Sequence, residues 1–151
     1  MGVARGADMT LAQNELRARA AAFAANHAGD RDEMRDTQTF WNDFFFNIFG
    51  VKRERVAIYE RSVDKLKGAR GRIDLFWPGE LIVEQKSAGR DLFGAEQQAL
   101  DYLHGIPDAE MPKRVLTCDF RTFRLGLFGL EKLHNPERTL STLAKALDTL
   151  G

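Results

Sequence analysis

Two neighbouring runs of branched and aromatic residues, 72–77 and 81–86, limit the folds open to this chain more than any other feature. Both runs have the composition of β-strands. The residues between them, Pro78, Gly79 and Glu80, are typical of a tight turn. The sequence therefore predicts a β-hairpin that carries charged residues inside both of its strands.

Further elements are predicted on both sides of the hairpin. Thr10 and Asp30 are the expected helix N-caps, because Gln13 and Glu33 follow them at the spacing of a capping box. The segment before the hairpin is expected to be extended, with a short helix from Arg55 as the alternative. In chain order, the other predicted elements are helices at 10–26 and 30–49 with a stop at Gly50, an extended segment at 56–66, a helix at 91–104, strands at 114–119 and 123–128, and a helix at 136–150.

The order helix, three strands, helix, strand predicts an α/β fold, with a mixed sheet and extra helices at both ends. A length of 151 residues is typical of one domain. We divide it into an N-terminal helical extension (1–29), a core (30–130) and a C-terminal helix (131–151). The aromatic residues from Phe40 to Phe49 are expected to pack in the core, and a helical partner surface is the rival interpretation.

Composition excludes several classes of protein. A hydrophobic fraction of 44% with 29% charged residues is that of a globular chain, not of a disordered one. The single cysteine, Cys118, cannot form an internal disulfide, and no apolar run is long enough for a membrane span, so a cytoplasmic location is expected. No zinc-ligand spacing, phosphate-binding glycine loop or nucleophile elbow occurs.

Charge is unevenly distributed, although 22 basic residues balance 22 acidic ones over the whole chain. Between Lys52 and Arg72 the sequence has eight basic residues and only three acidic ones. Such a segment can follow a phosphate backbone, and a solvated segment without any partner is an equally good interpretation.

The charged residues of the hairpin form a pattern of Asp74, nine residues, Glu84, one residue, Lys86. A charge inside a strand is costly unless it is paired, solvated or bound to a metal. Side chains alternate along a strand, so Glu84 and Lys86 share a face, and the adjacent strand can bring Asp74 beside them. Two carboxylates suit Mg²⁺, and Lys86 would lie near an attacking water. A structural salt bridge is the rival interpretation.

The register of the hairpin decides whether this site can exist. A two-residue loop would set Asp74 opposite Val83 and place the two carboxylates on opposite faces of the sheet. A loop of three residues, or one bulge, sets Asp74 opposite Glu84 instead. We therefore predict an odd loop or a bulge between Pro78 and Glu80.

Two polar residues of the next helix can join this site. Gln98 and Tyr102 are four residues apart, so they lie on one helix face. From that face Gln98 can approach the metal site or a phosphate. A half-buried helix face without a function is the alternative.

These features resemble the PD-(D/E)xK nucleases, whose core is helix, three strands, helix, strand, with an Asp on one strand and Glu-x-Lys on the next. More specifically, residues 33–128 resemble the N-terminal nuclease domain of MmeI-like restriction-modification enzymes. The resemblance rests on the segments TQTFWNDFF (37–45), FGV (49–51), RIDLFW (72–77), EQKSAG (84–89) and QQALDY (97–102).

The resemblance implies roles for individual residues. Asp74 and Glu84 would be the metal ligands, and Lys86 would be the catalytic lysine. Gln98 and Tyr102 are similar to the Q-x-x-x-Y element of RecB-like nucleases and are assigned to the catalytic site with them.

An additional acidic ligand is implied on the first core helix, where many members of the superfamily carry one. Asp36 is the residue assigned to this position as a metal ligand. Glu33, Asp43 and Glu60 compete with it for the same role.

The function implied by the resemblance is that of a Mg²⁺-dependent DNA endonuclease, with Mn²⁺ able to substitute, in a restriction-modification or phage-defence system. Lys67, Arg70 and Arg72 would contact the DNA backbone. No N-P-P-[YFW] motif occurs, so a DNA methyltransferase and a target-recognition domain or subunit are expected as partners. A homodimer on DNA is a further hypothesis, because cutting both strands usually needs two sites. The alternative function is a non-catalytic DNA-binding or assembly module on the same fold.

Overall fold

The computed structural model describes residues 2–64, 70–127, 132, 133 and 144, with side chains described for 13–64, 70–126 and 144. The helices are α1 (Gly2–Asn26), α2 (Glu33–Asp43) and α3 (Leu92–Tyr102), and the strands are β1 (Ile58–Asp64), β2 (Arg70–Trp77), β3 (Leu81–Gln85), β4 (Arg114–Cys118), β5 (Phe123–Leu127) and β6 (Lys132–Leu133). No helix of the described part combines the length and the apolarity that crossing a bilayer requires.

The six strands form one mixed sheet in the order β1-β2-β3-β4-β5-β6. Neighbouring strands pair antiparallel, except β3 and β4, which are parallel. A parallel pair needs a long crossover connection between its two strands, and here helix α3 lies in that connection. The predicted α/β fold with a mixed sheet is confirmed.

Helices cover both faces of the sheet. On one face Phe40 of α2 belongs to the apolar cluster that contains Leu81 and Val83 of β3. On the other face Ala99 of α3 belongs to a second cluster with Ile82 of the same strand. Strand β3 is therefore buried on both sides, so a charged residue within it is costly unless it is paired or bound.

The aromatic residues of α2 and of the turn that follows it form the centre of the larger cluster. Trp41 has no exposed surface, and Phe40, Phe44 and Phe45 are at most 2% exposed. Phe46 points outward and is 55% exposed. The prediction of core packing is confirmed, and the interpretation of these aromatics as a partner surface is wrong.

Both predicted N-caps are wrong. Helix α1 begins at Gly2, upstream of Thr10. Helix α2 is capped by Asp32, whose carboxylate accepts hydrogen bonds from two backbone amides of the first turn. Asp30 is turned away from this helix end, because its carboxylate lies 2.6 Å from Nδ1 of the buried His27. The observed cap therefore lies two residues after the predicted one.

The helical segment after the cap changes geometry before it ends. Phe44–Ile48 forms a π-helical turn, and the segment stops at Gly50, as predicted, with a φ of 73° that favours glycine. A 3₁₀ turn at Arg53–Arg55 ends before β1, so the predicted extended segment is confirmed over Ile58–Asp64 and the alternative of a short helix from Arg55 is wrong. The predicted C-terminal helix at 136–150 falls on residues that, apart from 144, lie outside the described part.

Replacing Trp41 by phenylalanine is expected to lower the free energy of unfolding by about 2–4 kcal/mol. The indole Nε1 donates to Gln85 Oε1 over 2.8 Å, and both side chains are fully buried, so the variant leaves a buried amide oxygen without a donor. Trp77→Phe removes a similar buried ring volume but no hydrogen bond between described residues. Urea unfolding of both variants should show a clearly smaller loss for Trp77→Phe, and equal losses would contradict the role of this hydrogen bond.

Candidate active site

The loop of the β2–β3 hairpin has three residues. Trp77 pairs with Leu81, which leaves Pro78, Gly79 and Glu80 in the connection. Gly79 has a φ of 78°, a conformation that glycine adopts without strain. The predicted odd loop is confirmed.

This register sets the two hairpin carboxylates across from each other. The ladder between β2 and β3 ends with Leu75 opposite Val83, and the next position on each strand is Asp74 and Glu84. In place of a further ladder pair, Asp74 Oδ2 accepts a hydrogen bond from the Gln85 amide over 2.7 Å. The side chain of Asp74 therefore occupies the gap where the two strands separate.

A short chain of polar contacts extends from the hairpin to α3. Lys86 Nζ lies 3.6 Å from Glu84 Oε1 and donates to Gln98 Oε1 over 2.9 Å. The Gln98 Nε2 group in turn donates to Tyr102 Oη over 2.9 Å. The structure thus brings Asp74 and these four residues into one cluster, while the roles assigned to them stay predictions.

Burial controls the electrostatics of this cluster. Burial, and next the negative charge of Asp74, raise the pKa of Glu84 to about 8, against the opposing effect of Lys86. Burial also raises the pKa of Asp74, although the Gln85 amide opposes this shift. The pKa of Tyr102 rises to about 12, mainly through burial and then through the charge of Glu84. Without a cation, burial and the neighbouring carboxylate therefore favour the protonated form of Glu84, and the ammonium group of Lys86 opposes them.

The carboxylates fit a divalent cation. Glu84 Oε2 is buried and has no hydrogen-bond partner among the described residues, and Asp74 faces it across the hairpin. The described residues contain no group of three His, Cys, Asp or Glu side chains arranged around one point. Two carboxylates with water and phosphate oxygens are a common ligand set for Mg²⁺, which retains several of its waters in proteins.

Asp36 is not brought to this cluster. Its carboxylate accepts hydrogen bonds from the amides of Arg31 and Asp32 and from the guanidinium of Arg35. These bonds, led by that of Arg35, hold the pKa of Asp36 well below its usual range. The carboxylate therefore stabilises the start of α2.

Glu33 is the acidic residue of α2 that lies near the pair. It lines a cleft of about 480 Å³ together with Asp74 and Glu60, and its charge acts to raise the pKa of Asp74. Asp43 is elsewhere, with its carboxylate 3.0 Å from His27 Nε2. The sequence analysis considered Glu33 as an alternative metal ligand but assigned it to a capping box with Asp30. Because that cap is wrong, the position of Glu33 beside Asp74 was not predicted.

Gln85 is a member of the site that the sequence analysis missed. Its backbone amide holds Asp74, and its side chain accepts from Trp41 and donates to the Lys86 carbonyl over 3.1 Å. The residue has no exposed surface. A polar amide in a strand buried on both faces is unusual, and this was the signal that could have revealed it.

The predicted DNA-binding residues are only partly described. Arg70 and Arg72 of β2 are 81% and 72% exposed. Their guanidinium groups lie 3.6 Å from Asp64 and 4.0 Å from Glu60, so acidic neighbours on β1 partly offset their charge. Lys67 lies outside the described residues.

Comparison with known proteins assigns the chain to a family. The family model of the MmeI N-terminal domain matches residues 18–150. The chain belongs to this family. None of the curated proteins matches the sequence. A chain in the cryo-EM structure of a DrdV–DNA complex resembles the structure with a TM-score of 0.49 and 18% identity; the match covers 91% of this chain and only 13% of that one.

The match to the MmeI N-terminal domain family spans the site. It begins within α1 and ends beyond β6, so the whole described sheet and helices α2 and α3 lie inside it. The hairpin carboxylates, the lysine and the polar residues of α3 are therefore parts of the MmeI N-terminal domain of this chain.

Proposed function

We propose that this chain is a Mg²⁺-dependent DNA endonuclease of a restriction-modification or phage-defence system. The observation that carries the proposal is the pairing of Asp74 with Glu84 across the hairpin, with Lys86 Nζ 3.6 Å from Glu84. A buried and a half-buried carboxyl, both with raised pKa values and beside a lysine, are costly to fold, and such groups cluster at functional sites.

The element order supports a PD-(D/E)xK core within the α/β fold. Helix α2 precedes three antiparallel strands, and α3 leads into the parallel strand β4. The carboxylates come from the second and third of these strands, and the lysine directly follows the third. Family membership agrees with this proposal.

Asp74 and Glu84 would hold the cation, and Glu33 is better placed than Asp36 to add a third carboxylate. Bound Mg²⁺ would supply a Lewis acid for a phosphate oxygen and for the attacking water. Water would attack the phosphorus, the bond to the 3′ oxygen would break, and the products would carry 5′-phosphate and 3′-hydroxyl ends.

Lys86 would stabilise the negative charge that develops on the phosphate oxygens during this attack. Gln98 holds its ammonium group through the 2.9 Å hydrogen bond, and Tyr102 holds Gln98. These two residues of α3 therefore fix the direction in which the ammonium points. A fixed charge is more effective than a mobile one because it needs no reorganisation during the reaction.

DNA is the proposed substrate, and its sequence would be selected elsewhere. A methyltransferase and a target-recognition domain or subunit are the proposed partners, and a homodimer would bring two sites to the two strands. The chain alone is then expected to cut weakly and with little sequence preference.

A non-catalytic DNA-binding or assembly module is the second candidate. The contact between Lys86 and Glu84 favours it, because it partly compensates the buried carboxylate without a cation. This module would bind DNA equally well with and without Mg²⁺ and would not cleave it.

Incubation with supercoiled plasmid separates the two candidates. With Mg²⁺ or Mn²⁺ the endonuclease should produce nicked circles, and excess chelator should stop the reaction. Asp74→Asn, purified in parallel, controls for contaminating nucleases and should not nick. Intact plasmid in both metals, with DNA binding that is independent of metal, would support the module instead.

A further inference from the structure

An open cleft adjoins the end of β3 on the far side of Lys86 from the hairpin loop. It has a volume of about 500 Å³ and is lined by residues 87–89 together with Arg31, Asp32, Arg35 and Arg121. The sequence analysis assigned no role to any of these residues, and the candidate active site does not use them. Three of the seven lining side chains are guanidinium groups.

Most of the arginines whose side chains the structure describes are paired, and three of the four unpaired ones lie in or next to this cleft. Among the arginines whose side chains are described, four have a guanidinium without a hydrogen bond or ion pair: Arg31, Arg55, Arg90 and Arg121. Two of the four line the cleft, and Arg90 directly follows the lining residues 87–89. Unpaired guanidinium groups that line one concave surface indicate a site for an anion.

The lining contains three arginines and one acidic residue, Asp32, so it keeps a net positive charge. The Asp32 carboxylate already accepts two amide hydrogen bonds as the N-cap of α2. Arg35 shares its charge with Asp36 but is 62% exposed. The positive charges of Arg31 and Arg121 therefore remain available to a ligand.

The cleft is held in a fixed shape by contacts between distant segments. The amide of Ala88 donates to the Arg31 carbonyl over 2.9 Å, and the amide of Gly89 donates to the Asp119 carboxylate over 3.2 Å. The amide of Glu33 donates to the Ser87 hydroxyl over 3.0 Å. These bonds join the turn to the start of α2 and to the β4–β5 connection, so little ordering is needed when a ligand binds.

We propose that this arginine cleft binds the phosphodiester backbone of the DNA strand that enters the active site. This inference rests on the proposed function, because it takes Lys86 to mark the scissile phosphate. Gly89 is three residues beyond Lys86, so their Cα atoms are at most about 11 Å apart. Phosphates of one strand rise about 3.4 Å per nucleotide along the duplex axis. Allowing for the reach of the side chains, the bound phosphate would lie a few nucleotides from the cleavage position.

The test is the salt dependence of DNA binding by the full chain in excess chelator, which prevents cleavage. Fluorescence anisotropy with a short duplex would be measured between about 50 and 200 mM salt. Arg31→Ala combined with Arg121→Ala should decrease the slope of log K against log salt by about 1.8, since each phosphate contact contributes about 0.9. The loss should be the same for duplexes of different sequence.

Two controls make the result specific. Arg55→Ala removes an unpaired arginine that does not line the cleft, and it should leave the slope unchanged. Arg31→Lys with Arg121→Lys retains both charges and should keep most of the slope. An unchanged slope in the double alanine variant, an equal effect of Arg55→Ala, or no duplex binding by the wild-type chain would overturn the proposal.

The two proposals can fail separately. A wild-type chain that nicks plasmid, with an unaltered slope in the double variant, would refute the cleft and keep the nuclease. A chain that never nicks, with a slope that decreases as expected, would refute the nuclease and keep the cleft.

Discussion

Lys86→Ala is expected to reduce metal-dependent nicking of plasmid roughly 10²–10³-fold, the usual effect of removing one fixed charge-stabilising group. The ammonium group is held 2.9 Å from Gln98 and 3.6 Å from Glu84, so no other described lysine can replace it at this position. Affinity for DNA should change much less, because a single charge is a small part of a phosphate-binding surface. Initial rates of nicking and anisotropy in chelator measure the two effects.

Lys113→Ala is the matched control for this experiment. Lys113 lies near the other end of the hairpin, where its ammonium group is 3.3 Å from Glu80, and it is 65% exposed. The Lys113 variant should nick at the wild-type rate. Equal activity of the Lys86 and Lys113 variants would exclude Lys86 from the reaction.

Glu84→Gln is expected to stabilise the metal-free protein at alkaline pH while it abolishes activity. Burial raises the folded-state pKa of Glu84 to about 8, above the value near 4.5 of an unfolded chain. The folded state thus binds the proton more tightly, and its contribution to stability is present below pH 4.5 and is lost as the pH rises through 8. Glutamine stays neutral, so the variant should gain about 2–5 kcal/mol over wild type by pH 9.

Urea unfolding in chelator at several pH values measures this difference. The difference between the two proteins should grow as the pH rises from about 4.5 to about 8 and should level off above pH 8. Glu110→Gln, at a glutamate that pairs with Arg61 on the surface, should show no such divergence. Saturating Mg²⁺ should stabilise the wild-type chain and have little effect on Glu84→Gln, because only ligands of the folded state shift its stability. Parallel pH profiles of wild type and Glu84→Gln would contradict the raised pKa.

The hairpin and its register could be predicted because the information is local. Strand alternation, the turn composition and the cost of a buried charge together predicted an odd loop or a bulge, and the observed three-residue loop places Asp74 opposite Glu84. The contact between Lys86 and Gln98 could be anticipated only in outline, since it depends on how α3 packs against the sheet.

The assignments that changed depend on competition between neighbouring residues. Asp30 and Asp32 are both good N-caps, and the buried His27 determines the outcome by binding Asp30. This outcome turns Asp36 towards the backbone and Glu33 towards Asp74. The residues of α2 alone therefore do not determine which aspartate is the N-cap, because the contact that decides it is made by His27.

Charge counting along the chain had a similar limit. The basic segment that contains Arg70 and Arg72 lies beside acidic residues of the neighbouring strand, which offset part of its charge. The arginine cleft, in contrast, combines residues from three distant segments and is not visible in any window of the sequence.

The three-residue hairpin loop also limits how this gene can change by insertion and deletion. Loss of Gly79 alone would shift the register by one residue. Each following side chain of β3 would then point to the opposite face of the sheet, and Glu84 would no longer face the same side as Asp74. An insertion of two residues would preserve the facing of that strand. Lineages that retain the facing carboxylates should therefore differ in the length of this loop by even numbers, unless a β-bulge in one strand restores the register.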